Sequence, residues 1–212
     1  MASLIMHLAI SNKLKEIYNF SDDFLVGAMA PDLLKIIYTK DKTHYTKEIQ
    51  LDGEIIRFPD IDKFLCENKG KKDEYFLGYL SHLVQDKIWF GEYIPRIAKR
   101  LSRDETMYYK DKSVHSNDDA TLDLYNDYAI VGEYILNKYD KVDIFKLKET
   151  MKYYFKNVIH IEMDDIVDNE KIIYKAPQGK SLILFSYNLT DDYIDYSVNE
   201  CQKYIDSIIK NK

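Results

Sequence analysis

The run from Tyr75 to Trp89, YFLGYLSHLVQDKIW, constrains the fold of this chain more than any other stretch. Apolar residues recur in it every three or four positions, which predicts a helix that buries a broad face. The same run contains His82 and Asp86, which are four residues apart and therefore lie on one face of that helix. Because Gly78 costs a helix about 1 kcal/mol relative to alanine, we expect a close packing partner beside it.

A histidine and an aspartate on an apolar helix suit two roles. Imidazole and carboxylate are both ligands for divalent metal ions such as zinc. Alternatively, His82 and Asp86 satisfy each other through a hydrogen bond within the core. Taken alone, the run favours the second interpretation, so the choice depends on the rest of the chain.

Length, charge and cysteine content limit the class of protein. With 212 residues, 46% of them hydrophobic, the chain can bury a full core, and we expect one domain spanning 1–212. A formal charge of -6 offers no basic field for a nucleic-acid backbone, so no nucleic-acid polymer is expected as a partner. The two cysteines, Cys66 and Cys201, are far apart and form no C-x-x-C pair, which favours a reducing compartment over a disulfide framework.

The sequence gives no sign of a membrane or secretion segment. No run of eighteen apolar residues is present, so no transmembrane helix is predicted. The first ten residues, MASLIMHLAI, are too short for a signal peptide and lack its early positive charge. We therefore expect the chain in the cytoplasm, and nothing in the pattern specifies an oligomeric state.

Helical periodicity and capping residues predict an all-α multi-helix bundle with one short β-hairpin. Alternating residues on either side of Asp52 and Gly53 indicate the hairpin, because this dipeptide favours a tight turn. Segment 102–114 has little periodicity and predicts a loop or a ragged helix end, whereas SLILF at 181–185 fits either a buried strand or the start of a helix. The predicted helices run from Ser3 to about Tyr18, from Ser21 to a break or kink at Pro31, for about two turns after Pro59, from Asp73 to about Leu101 with a kink at Pro95, from Ser116 or Asn117 to about Tyr139, from Asp143 to Phe155, and from Thr190 to about Ile209.

Other residues that suit a metal lie near the ends of these helices. His7 lies beside the apolar stripe of the first helix, where a hydrogen-bonded core histidine is the simpler interpretation. Asp32 follows the proline break, and it either caps the next turn or is displayed at the break. His44 is expected on a loop, and His115 at the start of a helix whose first turns contain Asp119.

The spacing of acidic residues from histidines favours metal chemistry over other chemistry. Divalent zinc or manganese would accept imidazole nitrogen and carboxylate oxygen together. No G-x-S-x-G motif or glycine-rich phosphate loop occurs, and Cys66 has no obvious base. Four of the five histidines are followed by a carboxylate four positions later: His44 by Glu48, His82 by Asp86, His115 by Asp119, and His160 by Asp164.

These motifs together resemble the bacterial zinc-dependent phospholipase C family, whose all-α fold is shared with the single-strand-specific zinc nucleases. The resemblance spans residues 7–89 and lies in the order and spacing of four separate motifs. They are His7, then G-A-x-x-P-D at Gly27 to Asp32, then T-H-Y at Thr43 to Tyr45, then Y-F-L-G-Y-L-x-H-x-x-x-D-x-x-W at Tyr75 to Trp89.

The resemblance implies a specific set of zinc ligands in the first part of the chain. By it, Asp32, His44, His82 and Asp86 form the first zinc site. His7 would sit on a neighbouring ion bridged by Asp86, and Asp32 would serve as general base or orient the attacking water.

A further zinc in the family is held by two downstream histidines and a glutamate, the last two spaced as H-x-x-x-E. His115 and Asp119 stand for that pair here, but no histidine lies between Asp86 and His115 to supply the remaining ligand. Secreted members also use the free amino terminus as a ligand, which this chain would imitate only if loss of Met1 exposed Ala2. The resemblance thus implies one to three zinc ions, with manganese as the alternative metal.

The implied function is hydrolysis of a phosphoester or phosphodiester bond by a metal-activated water. The expected substrate is a small phosphoester or a lipid head group. A non-catalytic helical protein that keeps a partial or structural metal site is the alternative.

Overall fold

The computed structural model describes residues 2–34, 37–51, 54–100, 105–108, 114–139, 144–158, 160–161 and 179–210. Within these ranges the chain is mainly helical, which confirms the predicted all-α class. None of the helices described is long and apolar enough to cross a membrane. The described residues include eight α-helices: α1 (Leu4–Tyr18), α2 (Asp22–Leu34), α3 (Lys40–Thr43), α4 (Ile61–Glu67), α5 (Glu74–Ile88), α6 (Asn117–Lys138), α7 (Ile144–Asn157) and α8 (Tyr187–Lys210).

A short antiparallel hairpin follows α3, as the sequence predicted. Its strands are β1 (Thr46–Leu51) and β2 (Glu54–Pro59), in register with Ile49 opposite Ile56. The predicted turn residues, Asp52 and Gly53, lie outside the described residues. The hairpin leads directly into α4, which Asp60 caps by accepting a hydrogen bond from the Lys63 amide.

The predicted helix from Asp73 to Leu101 is too long. α5 ends at Ile88. A π-helical turn over Trp89–Tyr93 and a 3₁₀ turn over Ile94–Arg96 follow it. Pro95 has no N–H to donate to a continuing α-helix, which explains why the helical path stops there.

A second small sheet occupies part of the segment that the sequence predicted as a loop. Its strands are β3 (Ala98–Arg100), β4 (Glu105–Tyr108) and β5 (Val114–Ser116), all antiparallel. The prediction of a loop or a ragged helix end is therefore wrong at 105–108 and at 114, and the rest of 102–114 lies outside the described residues. Three- and four-residue strands are too short to show an alternating pattern, since they expose at most two residues on each face.

α2 and α5 pack backbone against backbone at two glycines. A Cβ on Gly78 would lie 2.0 Å from the Phe24 carbonyl oxygen, and one on Gly27 would lie 2.0 Å from the Tyr75 carbonyl oxygen. The close partner expected beside Gly78 is thus the backbone of α2. α2 continues through Pro31 to Leu34, so the predicted break at Pro31 does not occur.

Burial explains why α2 survives an internal proline. Eleven of its thirteen residues are buried, so packing on all sides stabilises the helix where one backbone hydrogen bond is lost. α1, α5 and α7 contact it, and α8 lies against α1 and α5. This arrangement brings the inner faces of α1, α2 and α5 together at the centre of the molecule.

The segment 179–186 reaches the core without forming a strand or a helix, unlike either prediction for SLILF. The carboxylate of Asp127 on α6 is fully buried and holds this segment. It accepts hydrogen bonds from the amides of Ile183 (2.9 Å), Leu184 (2.6 Å) and Phe185 (2.8 Å). These amides bind a side chain instead of a neighbouring strand, and α8 begins at Tyr187, before the predicted Thr190.

Both cysteines are free, as expected from their spacing, but their surroundings differ. Cys66 is exposed on α4, whereas burial raises the pKa of the Cys201 thiol to about 12. We expect maleimide to modify Cys66 alone in the native protein and both thiols after denaturation. Mass spectrometry checks this, with Cys66→Ser as the control that should not react when native. Rapid native labelling of Cys66→Ser would show that the packing of α8 against α5 does not bury Cys201.

Candidate metal centre

Five of the seven residues expected to bind metal converge in the core. His7 comes from α1, Asp32 from α2, His44 from the end of α3, and His82 and Asp86 from α5. All five are buried, with at most 3% of any of them exposed. Residues 75 positions apart in sequence thus share one polar cluster inside an apolar core.

The donor atoms of these side chains lie at separations that suit a shared ion. His44 Nε2 lies 3.3 Å from His82 Nε2, 3.4 Å from Asp32 Oδ1 and 3.7 Å from Asp86 Oδ2. His82 Nε2 lies 3.8 Å from Asp86 Oδ2, and His7 Nε2 lies 3.4 Å from Asp86 Oδ1. Ligands at zinc-bonding distance stand about 3.3–3.6 Å apart in a tetrahedral site. Two groups of three residues could therefore hold a metal ion, and they share His82. The first group adds His7 and Asp32, and the second adds His44 and Asp86.

Each histidine is oriented by a hydrogen bond at its other ring nitrogen. His82 Nδ1 lies 2.7 Å from the carbonyl oxygen of Ala28, which can only accept, so Nδ1 carries the proton and Nε2 has a lone pair. Burial lowers the pKa of His82 to about 3, which keeps its ring neutral at physiological pH. The α2–α5 contact brings this carbonyl to the histidine, since Ala28 follows Gly27 on α2.

His44 is held by its neighbour in the same way. Its Nδ1 lies 2.8 Å from Thr43 Oγ1, and that hydroxyl donates to the Lys40 carbonyl oxygen at 3.3 Å. When the hydroxyl donates to the Lys40 carbonyl, its oxygen accepts from His44 Nδ1, and the lone pair of His44 is then on Nε2. Tyr79 on α5 fixes the segment further by donating to the Thr43 carbonyl oxygen at 2.5 Å.

His7 completes the set through Gln85. Its Nδ1 lies 2.8 Å from Gln85 Oε1, while Gln85 Nε2 donates to Ser81 Oγ at 2.7 Å. His7 Nδ1 therefore carries the proton, and its fully buried Nε2 makes no hydrogen bond within the part of the chain that is described. Three imidazole lone pairs thus point into one buried cluster.

The carboxylates in this cluster add negative charge. Burial alone would raise the pKa of Asp86, but the positive charge at the amino terminus holds that pKa well below its usual range. Oδ1 of Asp86 faces His7 and accepts a hydrogen bond from the Ala2 amide at 3.0 Å, whereas Oδ2 faces His44 and His82. Lone pairs and ionised oxygens at such separations repel each other unless a cation lies among them.

His115 and Asp119 lie elsewhere. His115 is on β5, and the exposed Asp119 belongs to the first turn of α6, where its amide donates to Ser116 Oγ at 3.2 Å. Its carboxylate accepts from the same hydroxyl at 2.8 Å. Neither residue is in the two metal-competent groups of the described chain, so a further ion at His115 and Asp119 stays a prediction.

Gln85, Ser81 and Ser11 belong to the site but were not among the residues expected from the sequence. Gln85 and Ser81 are four apart in the apolar run from Tyr75 to Trp89, as are His82 and Asp86. The signal that singled out the histidine, a polar side chain in a buried helix, applied to the glutamine too. Its partner His7 lies 78 residues earlier, which no local pattern could supply.

Comparisons of the chain with protein-family models, curated proteins and solved structures found no match. The function assigned to the cluster therefore depends on its own geometry and chemistry.

Proposed function

We propose that this chain is a metal-dependent hydrolase of phosphoester bonds, with His7, Asp32, His44, His82 and Asp86 as its metal ligands. The observation that carries the proposal is the convergence of three imidazole Nε2 atoms and two carboxylates in one buried cluster. Two buried carboxylates beside His82, which burial keeps neutral, leave a negative charge that a divalent cation would neutralise.

Zinc is the metal that this donor set favours. Imidazole nitrogen with carboxylate oxygen is a common zinc ligand set, and manganese is the second choice. The opposed directions of the two Asp86 oxygens support one or two ions on these five residues, with Asp86 shared between them. The further ion predicted at His115 and Asp119 would be additional to these.

The chemistry assigned to the site follows from its residues. A divalent ion at such a site supplies a Lewis acid for phosphoryl oxygens and lowers the pKa of water. Asp32 would accept the proton of the attacking water or orient that water, because its Oδ1 lies 3.4 Å from His44 Nε2, at the edge of the donor cluster. The Nδ1 hydrogen bonds of the three histidines keep their rings in place during turnover. The proposed substrate is a small phosphoester or a lipid head group.

A second candidate is a structural metal site in a non-catalytic protein. The near-complete burial of the ligands favours it, because a structural ion is closed to solvent whereas a catalytic ion keeps an open position. Under this alternative, the ion stabilises the α1, α2 and α5 core and performs no reaction.

Elemental analysis of protein purified without chelator tests the metal centre directly. We expect one or two equivalents of zinc or manganese in the wild type and their loss in His82→Ala. His160→Ala is the matched control, because His160 is exposed and lies outside both donor groups. Absence of metal after reconstitution with zinc and with manganese would refute the proposal.

Asp32→Asn separates the catalytic from the structural alternative. The amide keeps the size of the side chain but cannot accept a proton, so turnover of a phosphodiester should fall by about 10²–10⁴-fold. We expect the Tm of this variant to stay close to that of the wild type, and because Asp32 is also a proposed ligand, turnover is compared per bound metal ion. A large drop in Tm together with an absence of phosphoesterase activity in the wild type would favour the structural site.

Acid should destabilise the metal-free protein through His82. The pKa of His82 is lowered by burial from 6.5 to about 3, so between these values the unfolded chain binds a proton that the folded chain does not. The free energy of unfolding in chelator should therefore fall as the pH drops from 6.5 towards 3. Denaturant titrations of wild type and His82→Gln measure this, and the variant should show a shallower dependence. Equal slopes would mean that His82 does not titrate in this window.

A further inference from the structure

Gln85 lies at the centre of a small polar network behind His7. Its amide nitrogen donates to Ser81 Oγ at 2.7 Å and to Ser11 Oγ at 3.4 Å, and its amide oxygen faces His7 Nδ1 at 2.8 Å. All four residues are buried, with at most 1% of any of them exposed. A buried glutamine is costly unless its groups are paired, and in this orientation both ends of the Gln85 amide have partners.

The orientation of the amide decides which nitrogen of His7 carries a proton. With Oε1 towards His7, Nδ1 donates and Nε2 keeps the lone pair that faces Asp86 Oδ1 at 3.4 Å. A half-turn of the amide would present an N–H donor to Nδ1, and the proton would then move to Nε2. The two serine hydroxyls can donate as well as accept, so they permit the inverted network. In that network His7 cannot bind a metal through Nε2.

His7 differs in this respect from the other two histidines of the cluster. His82 donates to the backbone carbonyl of Ala28, which has no inverted form. His44 donates to the Thr43 hydroxyl, whose proton is already engaged by the Lys40 carbonyl. The Thr43 hydroxyl can also donate or accept, but among the three anchors described only the Gln85 amide exchanges the two roles by turning over.

We propose that Gln85 is a positioning residue that makes His7 a metal ligand, by holding it in the tautomer with the proton on Nδ1. This inference rests on the proposed metal centre. It adds the requirement that Gln85 hold His7 in the tautomer that leaves Nε2 free for the metal. Gln85→Leu should then reproduce the effect of His7→Ala, although every ligand is still present.

Zinc affinity, measured by competition with a chromophoric chelator, tests this equivalence. Outer hydrogen bonds to metal-bound histidines typically change affinity by about 10–100-fold, so a loss of that size is expected in Gln85→Leu and in His7→Ala. The double variant should lose no more than either single variant, because both act through one ligand. Gln85→Glu should restore affinity, since its carboxylate accepts from His7 and from the serine hydroxyls. Gln50→Leu, the same change on the exposed hairpin, is the matched control.

The ring tautomer gives a second readout that does not depend on metal. Nitrogen NMR should find the proton of His7 on Nδ1 in the wild type and in Gln85→Glu. If Gln85→Leu fails to fold, Ser81→Ala is the substitute variant. It removes the hydroxyl that accepts from Gln85, so the Gln85 amide can invert while the core volume is nearly unchanged. This variant should lose part of the zinc affinity.

Several results would overturn the role of Gln85. These are wild-type affinity in Gln85→Leu, additive losses in the double variant, or a proton on Nε2 of His7 in the wild type. A wild type that binds no zinc would instead refute the proposed metal centre, and the tautomer experiment would still test the contact between Gln85 and His7.

Discussion

Replacing Gly78 with alanine is expected to lower the free energy of unfolding by about 3 kcal/mol, although alanine is the better helix former. The new methyl carbon would lie 2.0 Å from the Phe24 carbonyl oxygen and 2.8 Å from the Ala28 amide nitrogen. Both are backbone atoms, which cannot rotate away as the end of a flexible side chain could. α2 and α5 would have to separate. Since the Ala28 carbonyl orients His82, the variant should also bind metal more weakly than the wild type.

Denaturant unfolding of Gly78→Ala and Gly132→Ala measures the effect against a matched control. Gly132 is on α6, where an added methyl carbon would meet nothing nearer than Ile5 Cγ1 at 3.9 Å. There the usual helical preference applies, and we expect a gain of about 0.5–1 kcal/mol. If both variants were equally stable, the close approach of α2 and α5 would be wrong.

Asp127→Asn is expected to cost at least about 3 kcal/mol, because a carboxylate that accepts from several donors would become an amide with donors of its own. Three consecutive amides, those of Ile183, Leu184 and Phe185, point at this carboxylate. An asparagine has one oxygen to offer, so at least one of these buried N–H groups would lose its acceptor and another would face an N–H group. We expect segment 179–186 to detach from α6 before the rest of the protein unfolds.

Hydrogen exchange of these three amides, together with denaturant unfolding, checks the prediction for Asp127. Asp123→Asn is the control, since Asp123 lies one turn earlier on α6 and is half-buried. Its substitution should change stability by no more than about 0.5 kcal/mol. Slow exchange at Leu184 and Phe185 in Asp127→Asn would show that other groups hold the segment.

Local patterns predicted those parts of this fold that depend on neighbouring residues. Ser3 caps α1 through the Met6 amide, and Asp73 caps α5 through the Phe76 amide, at the positions where the sequence placed those helix starts. Four-residue spacing on an apolar helix also singled out His82 and Asp86, which lie in the cluster.

Local patterns could not predict contacts between residues that are far apart in the sequence. Asp119, Asp123 and Asp127 follow each other at four-residue steps on α6, yet only Asp127 is buried. What distinguishes it is a set of amides 56 to 58 residues further along the chain. Strands β3 to β5 could not be predicted either, because each is too short for its sequence to indicate its pairing. The role of Gln85 could not be predicted because it depends on His7 in α1.

The order of the helices along the chain bears on how an ion could reach ligands that are almost fully buried. All five converging residues precede position 87, so they leave the ribosome before α6, α7 and α8 are made. The back of α5 is covered later, when Tyr193 donates to the Gln85 carbonyl oxygen and Cys201 packs on the Ser81 carbonyl. Metal capture by the nascent N-terminal helices, followed by closure with α8, would let a cation enter a site that offers little opening in the finished protein.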